Sequence, residues 1–492
     1  MTDIENSNEV RIVIIGAGFA GLCMAINLLK QGEKNFVVVE RADGIGGVWR
    51  DNVYPGAACD IPAVLYSYSF EQDYPWTQAY PQQKEILGYM SHIVCKYNLA
   101  DHLRFGVNVC NADFKESTAK WTVGLADGKR LSCDILIPAI GIFNHPVTPS
   151  IEGISEFKGP VLHSARWPQN AVFEDQRVAV IGTGASAIQI VPELAKHAKE
   201  LTVYQRSAPY VLPKATINMS DTSSERARVF AELEKVALSR SDFAMTAKAQ
   251  SAFLAYLTDQ VPDPVLRSKL TPSYILGCKR TLFSDHWYPA LQRGNVHLET
   301  EPIRKISSNA ILLNDGTKRQ VDCIVFATGF NPSNYLQGIK VVGSKNTHLS
   351  DAWSQGAEAY LGIAVAGFPN MFLMYGPNTN VAGSIIYMLE CQAEFIVKAL
   401  ALMKNKAAKS MEVSPLSYRE YCDSMQDKLS DSTITAANCQ SYSMNAAGRV
   451  VTNYPGTSLD YRHATESVDS ACFHLSLESA IHAVQHGVVN TP

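Results

Sequence analysis

The feature that most constrains this chain is a strand–turn–helix–strand pattern that occurs twice. In the first copy, Arg11–Ile15 carries the continuous apolar run Ile12–Ile15, as expected for a strand buried on both faces. It leads into Gly16-Ala-Gly18-Phe-Ala-Gly21, and Leu22–Gln31 follows with helical spacing. Phe36-Val-Val-Val-Glu40 then reads as a second strand ending in an acid. Strand, G-x-G-x-x-G, helix, strand and acid together form a dinucleotide-binding fingerprint. Gly16 permits the tight turn, and Gly18 lets backbone N–H groups approach a pyrophosphate at the helix N-terminus. Gly21 permits close helix–strand packing, and Glu40 accepts from ribose hydroxyls. FAD or NAD is the expected occupant.

In the second copy, Arg177–Ile181 is the strand and Gly182-Thr-Gly184-Ala-Ser-Ala187 the turn, with alanine in the third position. Ile188–His197 is the helix and Leu201–Tyr204 the next strand. This strand ends in Gln205-Arg206-Ser207 instead of an acid. A basic residue there favours the 2′-phosphate of NADPH. Two further segments, Cys133–Gly141 and Asp322–Phe330, are strands ending in small residues. They fit two crossings between a flavin unit and a nucleotide unit inserted into it. The expected architecture is α/β with two Rossmann-like domains. Residues 1–148 and 325–492 form the FAD-binding domain, and 149–324 the NADP-binding domain. The latter includes a helical excursion over about 215–280, broken by Pro262-Asp-Pro264 and Thr271-Pro272.

A length of 492 residues agrees with such a multi-domain plan. With 46% hydrophobic and 18% charged residues the composition is that of a globular protein. The net charge of −4 argues against nucleic-acid partners. No apolar run reaches the roughly 18 residues of a membrane span, and Met1–Val10 has no apolar leader core. The eleven cysteines are odd in number and include no C-x-x-C pair, so a disulfide framework is not expected and a reducing, cytoplasmic setting is. No metal-ligand pattern stands out.

Longer motifs narrow the chemistry. Phe157-Lys-Gly159-x-x-x-His163-x-x-x-Trp167-Pro168 precedes the second fingerprint, and Gly46-Gly47-Val-Trp49 leads to Tyr54-Pro55-Gly56 and Asp60. On these motifs the chain resembles the class B flavoprotein monooxygenases, and specifically the Baeyer–Villiger monooxygenases, nearly end to end. Its length and C-terminal pattern are similar to the core of hydroxyacetophenone-type members. The resemblance implies FAD and NADPH as cofactors, O2 and a ketone as substrates, and an ester or lactone formed through a C4a-peroxyflavin. It assigns Arg280, in Gly277-Cys-Lys279-Arg280, to stabilising that anion, with Asp60 as its partner acid. Arginine suits the task because it stays protonated and presents a rigid donor fork. Lys279 corresponds to a lysine on the NADP 2′-phosphate, and Trp49 to a packing or flavin-flanking residue. The resemblance places His163 and Trp167 at the domain joint, positioning NADP instead of exchanging protons.

Two positions depart from the family pattern. Gln169 stands where an acid or histidine follows Trp-Pro, and Tyr442 occupies the place of a cofactor-reaching tryptophan. These leave open an alternative reading, a flavin monooxygenase oxidising sulfur or nitrogen. A disulfide reductase would need a redox cysteine pair near the flavin, and a flavin sensor would have no use for the second fingerprint.

Overall fold

In a computed structural model, which describes residues 9–437 and 439–477, each fingerprint builds its own parallel sheet. The first sheet has the order Leu103–Arg104, Phe36–Val39, Ile12–Ile15, Ile135–Pro138. Its register pairs Ile12 with Phe36 on one side and with Ile135 on the other. Alternation explains the continuous apolar run. Ile12 and Ile14 enter one core with helix Phe19–Lys30 and the long helix Ile385–Asn405, while Val13 and Ile15 enter another with Trp121 and Val123.

The second sheet has the order Val296–Glu299, Glu200–Tyr204, Arg177–Ile181, Cys323–Phe326, Val161–His163, all parallel. Val178 and Val180 pack with helix Ala187–Leu194, and Ala179 packs on the opposite side. Each sheet is thus the middle layer of a sandwich, the arrangement in which ligands bind at the carboxyl ends of the strands. The C-terminal elements return to the first domain: Met371 bridges to Leu136 beside the first sheet.

The excursion is helical, with helices at Thr222–Ser239, Phe243–Gln260 and Pro264–Leu270. Each begins with an aspartate whose side chain accepts a first-turn N–H: Asp221, Asp242 and Asp263. Pro264 does not merely end the preceding helix. It occupies the first position of the next one, where its missing N–H costs nothing. Periodicity did not reveal the sheet in which Val109–Lys115 pairs antiparallel with Lys120–Leu125 and parallel with Lys340–Val342.

One expectation is corrected. Cys278 and Cys439 form a disulfide, while the other nine cysteines are free. The partners lie 161 residues apart, so no local spacing marks them. Among the described residues no helix is long and apolar enough to cross a membrane. Met1–Asn8, read as lacking a leader core, and the end of the flavin unit after Leu477 lie outside the described residues.

Candidate functional site

The first glycine turn forms one wall of a cavity of about 830 Å³. Gly16 has φ +108°, and a Cβ there would lie 2.7 Å from the Ala139 carbonyl oxygen, so only glycine fits. A Cβ on Gly21 would come within 1.9 Å of the Gly16 oxygen, so this position is required for helix packing. Gly18 is different. Its backbone is extended, and the nearest neighbour to a Cβ would be Gly47 Cα at 3.9 Å. Gly18 and Gly47 therefore face each other across a groove that side chains would fill. Helix Phe19–Lys30 opens into this groove with no side-chain cap, so its first-turn amides are suited to an anion. Glu40 is buried and accepts from the backbone N–H groups of Ala17 and Ala42, each at 3.0 Å. These bonds fix its carboxylate and leave lone pairs for hydroxyl donors. The cradle fits a dinucleotide such as FAD.

Trp49 lines the same cavity, and its Nε1 donates to the Tyr66 hydroxyl at 2.8 Å. The Tyr54-Pro-Gly56 turn crosses to the second domain. The Tyr54 hydroxyl donates to Gln189 Oε1 at 2.9 Å, and Gln189 Nε2 donates to the Ala58 carbonyl at 2.9 Å. Burial pushes the Tyr54 hydroxyl up to about 12, so it remains a donor. This junction places Asp60, at the end of the turn, opposite the loop that follows the helical excursion. There Arg280 Nη2 donates to Asp60 Oδ1 at 2.6 Å, a contact spanning 220 residues of chain. The Asp60 carboxylate holds the Arg280 guanidinium above its ordinary range. Both residues face the cavity, so the cavity carries a permanent, oriented positive group.

Lys279 points the other way. Its Nζ donates to Ser207 Oγ at 2.9 Å and sits 4.5 Å from the centre of the Tyr274 ring. Burial and then neighbouring Arg206 lower its pKa. Arg206, Ser207 and Lys279 thus gather two cations and a hydroxyl beyond the second glycine turn, a donor set suited to a phosphate. Gly182 has φ +114°, and a Cβ would lie 2.5 Å from the Ala327 oxygen; Gly184 is open and Ala187 fully buried.

The Phe157–Pro168 motif sits at the joint between the domains. A Cβ on Gly159 would come within 2.1 Å of the Asp322 oxygen, which accounts for that glycine. His163 Nδ1 accepts from the Ala165 N–H at 3.0 Å, which leaves Nε2 to donate to the Val147 carbonyl at 3.3 Å. Burial lowers the His163 pKa, which favours the neutral ring. Trp167 packs at 5.6 Å on Phe173, Phe157 lies against the second core, and Pro168 and Gln169 are exposed. Tyr442 lines the cavity edge-on to Phe143 at 6.4 Å. The disulfide joins the loop of Lys279 and Arg280 to the strand of chain that carries Tyr442.

Of the residues singled out in the sequence, Gly16, Gly18, Glu40, Gly47, Trp49, Asp60, Lys279, Arg280 and Tyr442 border one cavity. Gly182, Gly184, Ala187, Arg206, Ser207 and the Phe157–Pro168 motif are not among its lining. Sequence reading missed Arg240, Thr433, Phe143 and Phe330, which also line it. Phe330 ends the Asp322–Phe330 segment, and the other three stand in no recognisable motif.

A family model described as flavin-binding monooxygenase-like matches residues 9–350. The chain is 36% identical to a Baeyer–Villiger monooxygenase of Pseudomonas aeruginosa, over 96% of this chain and 92% of that protein. It is 35% identical to one of Streptomyces coelicolor, over 96% and 94%. Among solved structures it is similar to an oxidised steroid monooxygenase bound to NADP, with TM-score 0.86 and 29% identity over 95% of this chain and all of that one. It is also similar to a closed cyclohexanone monooxygenase, with TM-score 0.86 and 26% identity over 95% and 99%.

Proposed function

The chain belongs to the flavin-binding monooxygenase-like family and, within it, to the Baeyer–Villiger monooxygenases; on that premise we propose that it uses FAD, NADPH and O2 to insert one oxygen atom beside a ketone carbonyl, giving an ester or lactone. The observation that carries this reading is the Arg280–Asp60 pair, 2.6 Å apart and facing a cavity bordered by the first dinucleotide cradle. FAD reduced by NADPH supplies the activated oxygen. The protein's residues do the rest. The Gly16–Gly21 turn, the uncapped start of helix Phe19–Lys30 and Glu40 are the groups that would hold FAD. Arg206, Ser207 and Lys279 hold the NADP 2′-phosphate. Arg280 offers a fixed positive charge where negative charge would develop on oxygen, and Asp60 orients its fork. Trp49, Phe143 and Tyr442 shield the cavity from water. His163 stays neutral and ties the joint together.

The charge assignment at the second turn is directly testable. Arg206→Ala should raise KM for NADPH about tenfold or more, the range for losing a charge-assisted hydrogen bond, and leave KM for NADH little changed. Equal effects on the two cofactors would remove Arg206 from the phosphate site.

The reaction itself is tested by incubating FAD-loaded protein with NADPH and isotopically labelled O2. An aryl ketone, a cyclic ketone and a thioether are supplied together, and products are read by mass spectrometry. Labelled ester or lactone is the expected outcome. Labelled sulfoxide alone would replace the proposal with heteroatom oxygenation.

A further inference from the structure

Besides Arg280, three more arginines border the same cavity, Arg41, Arg50 and Arg240, and Arg240 stands out among them. Arg240 ends the helix Thr222–Ser239, and its Nη1 is fully buried without a hydrogen-bond partner. Arg280 has Asp60, and Arg226 donates to the Val64 carbonyl and to Gln72 Oε1. Among the described residues Arg240 has no carboxylate partner; the charged or titratable groups that act on it are Tyr442 and Arg280. Beside it lies a second orphan. Thr433 Oγ1 is also buried and unpartnered, while the Thr433 N–H donates to the Arg240 carbonyl at 2.8 Å. Thr433 is pressed against the catalytic loop: a Cβ on Gly277 would lie 2.5 Å from its hydroxyl oxygen. The adjoining lining from Leu233, Val236, Ala249 and Leu276 is apolar.

A guanidinium nitrogen taken out of water and left without a partner is costly, and the cost persists only where something offsets it. A planar guanidinium fork matches a carboxylate in both charge and geometry, and Thr433, whose backbone N–H donates to the Arg240 carbonyl, adds a hydroxyl-bearing residue to the same lining. We propose that Arg240 and Thr433 form a carboxylate-binding corner, so that the preferred substrate is a ketone carrying a carboxylate at a distance from its carbonyl. This rests on the ketone reading above. Arg280 acts at the carbonyl end and Arg240 anchors the far end, with the apolar wall covering the hydrocarbon between them.

The test uses FAD-loaded protein and a matched pair of ligands, 4-acetylbenzoate and its methyl ester. Binding is read as a perturbation of the oxidised flavin spectrum, and turnover as kcat/KM for labelled product. The wild type should bind the carboxylate at least tenfold more tightly than the ester. Arg240→Met should bring that ratio to about one with flavin content intact, Arg240→Lys should restore part of it, and Thr433→Val should lower it about threefold. A wild type that does not discriminate, or an Arg240→Met variant that loses both ligands equally, overturns the proposal. Because binding is read without turnover, the two readings fail separately. Preferential binding with no oxygenated ketone would defeat the reaction and spare the corner. Oxygenation of both ketones without preference would defeat the corner alone.

Discussion

Replacing Arg280 with alanine should abolish oxygenated product while leaving reduction of the flavin by NADPH intact. The two half-reactions draw on different parts of the molecule. In the proposed reaction, cofactor binding is assigned to the glycine turns and to the Arg206–Ser207–Lys279 set. Oxygen transfer is assigned to a positive group held where negative charge would develop. Arg280 is such a group, oriented by the 2.6 Å contact with Asp60. Removing one preorganised donor from an oxyanion site lowers turnover by about 10²–10³-fold, and here a full charge is lost as well. Consumption of NADPH should continue, with its electrons appearing as hydrogen peroxide. Arg280→Lys should recover little, because an ammonium does not reproduce the fork that faces Asp60. The measurement is product formed per NADPH consumed, alongside the rate of flavin bleaching under anaerobic conditions. Ester formation at the wild-type rate by Arg280→Ala would remove this residue from the mechanism.

Gly18→Val should yield a folded, colourless protein. The extended backbone at Gly18 tolerates valine, and the nearest neighbour to its Cβ is Gly47 Cα at 3.9 Å. The side chain therefore enters the groove instead of the protein core. It would occupy the space in which the pyrophosphate meets the first-turn amides, a contact that depends on close backbone approach. Bound flavin should fall to about a tenth of wild type or less, because the displaced bonds are charge-assisted ones worth roughly 1.5–3 kcal/mol each. Gly21→Val is the contrasting control. Its Cβ would lie 1.9 Å from the Gly16 oxygen, so it should disrupt the fold itself. Flavin absorbance per protein and circular dichroism separate the two outcomes. Normal flavin content in Gly18→Val would contradict the role of the first turn.

The local pattern carried much of this architecture. The runs Ile12–Ile15 and Val178–Ile181 read as strands because every residue in them is apolar, and each proves to lie between two cores. The glycine turns were legible because a positive φ at Gly16 and Gly182 admits almost no other residue. Pro262, Asp263 and Pro264 marked a helix boundary through the chemistry of a cap and a missing donor. The sheet of Val109–Lys115 was not legible, because its two-residue alternation is weak and its partner Lys340–Val342 lies far along the chain.

At the site the division is sharper. The residue types required for binding two dinucleotides stand within short, ordered motifs, so the sequence by itself determined the two Rossmann-like domains and nominated Arg280 and Asp60. The family resemblance named them as partners, but the contact that joins them across 220 residues is made by the tertiary structure. So are the Cys278–Cys439 link, the tight seat of Gly159 against Asp322, and the unpaired corner of Arg240 and Thr433. The physical reason is range. Propensity, capping and turn geometry act over a few residues and leave periodic marks, whereas charge pairing and burial depend on which loops two packed sheets bring together.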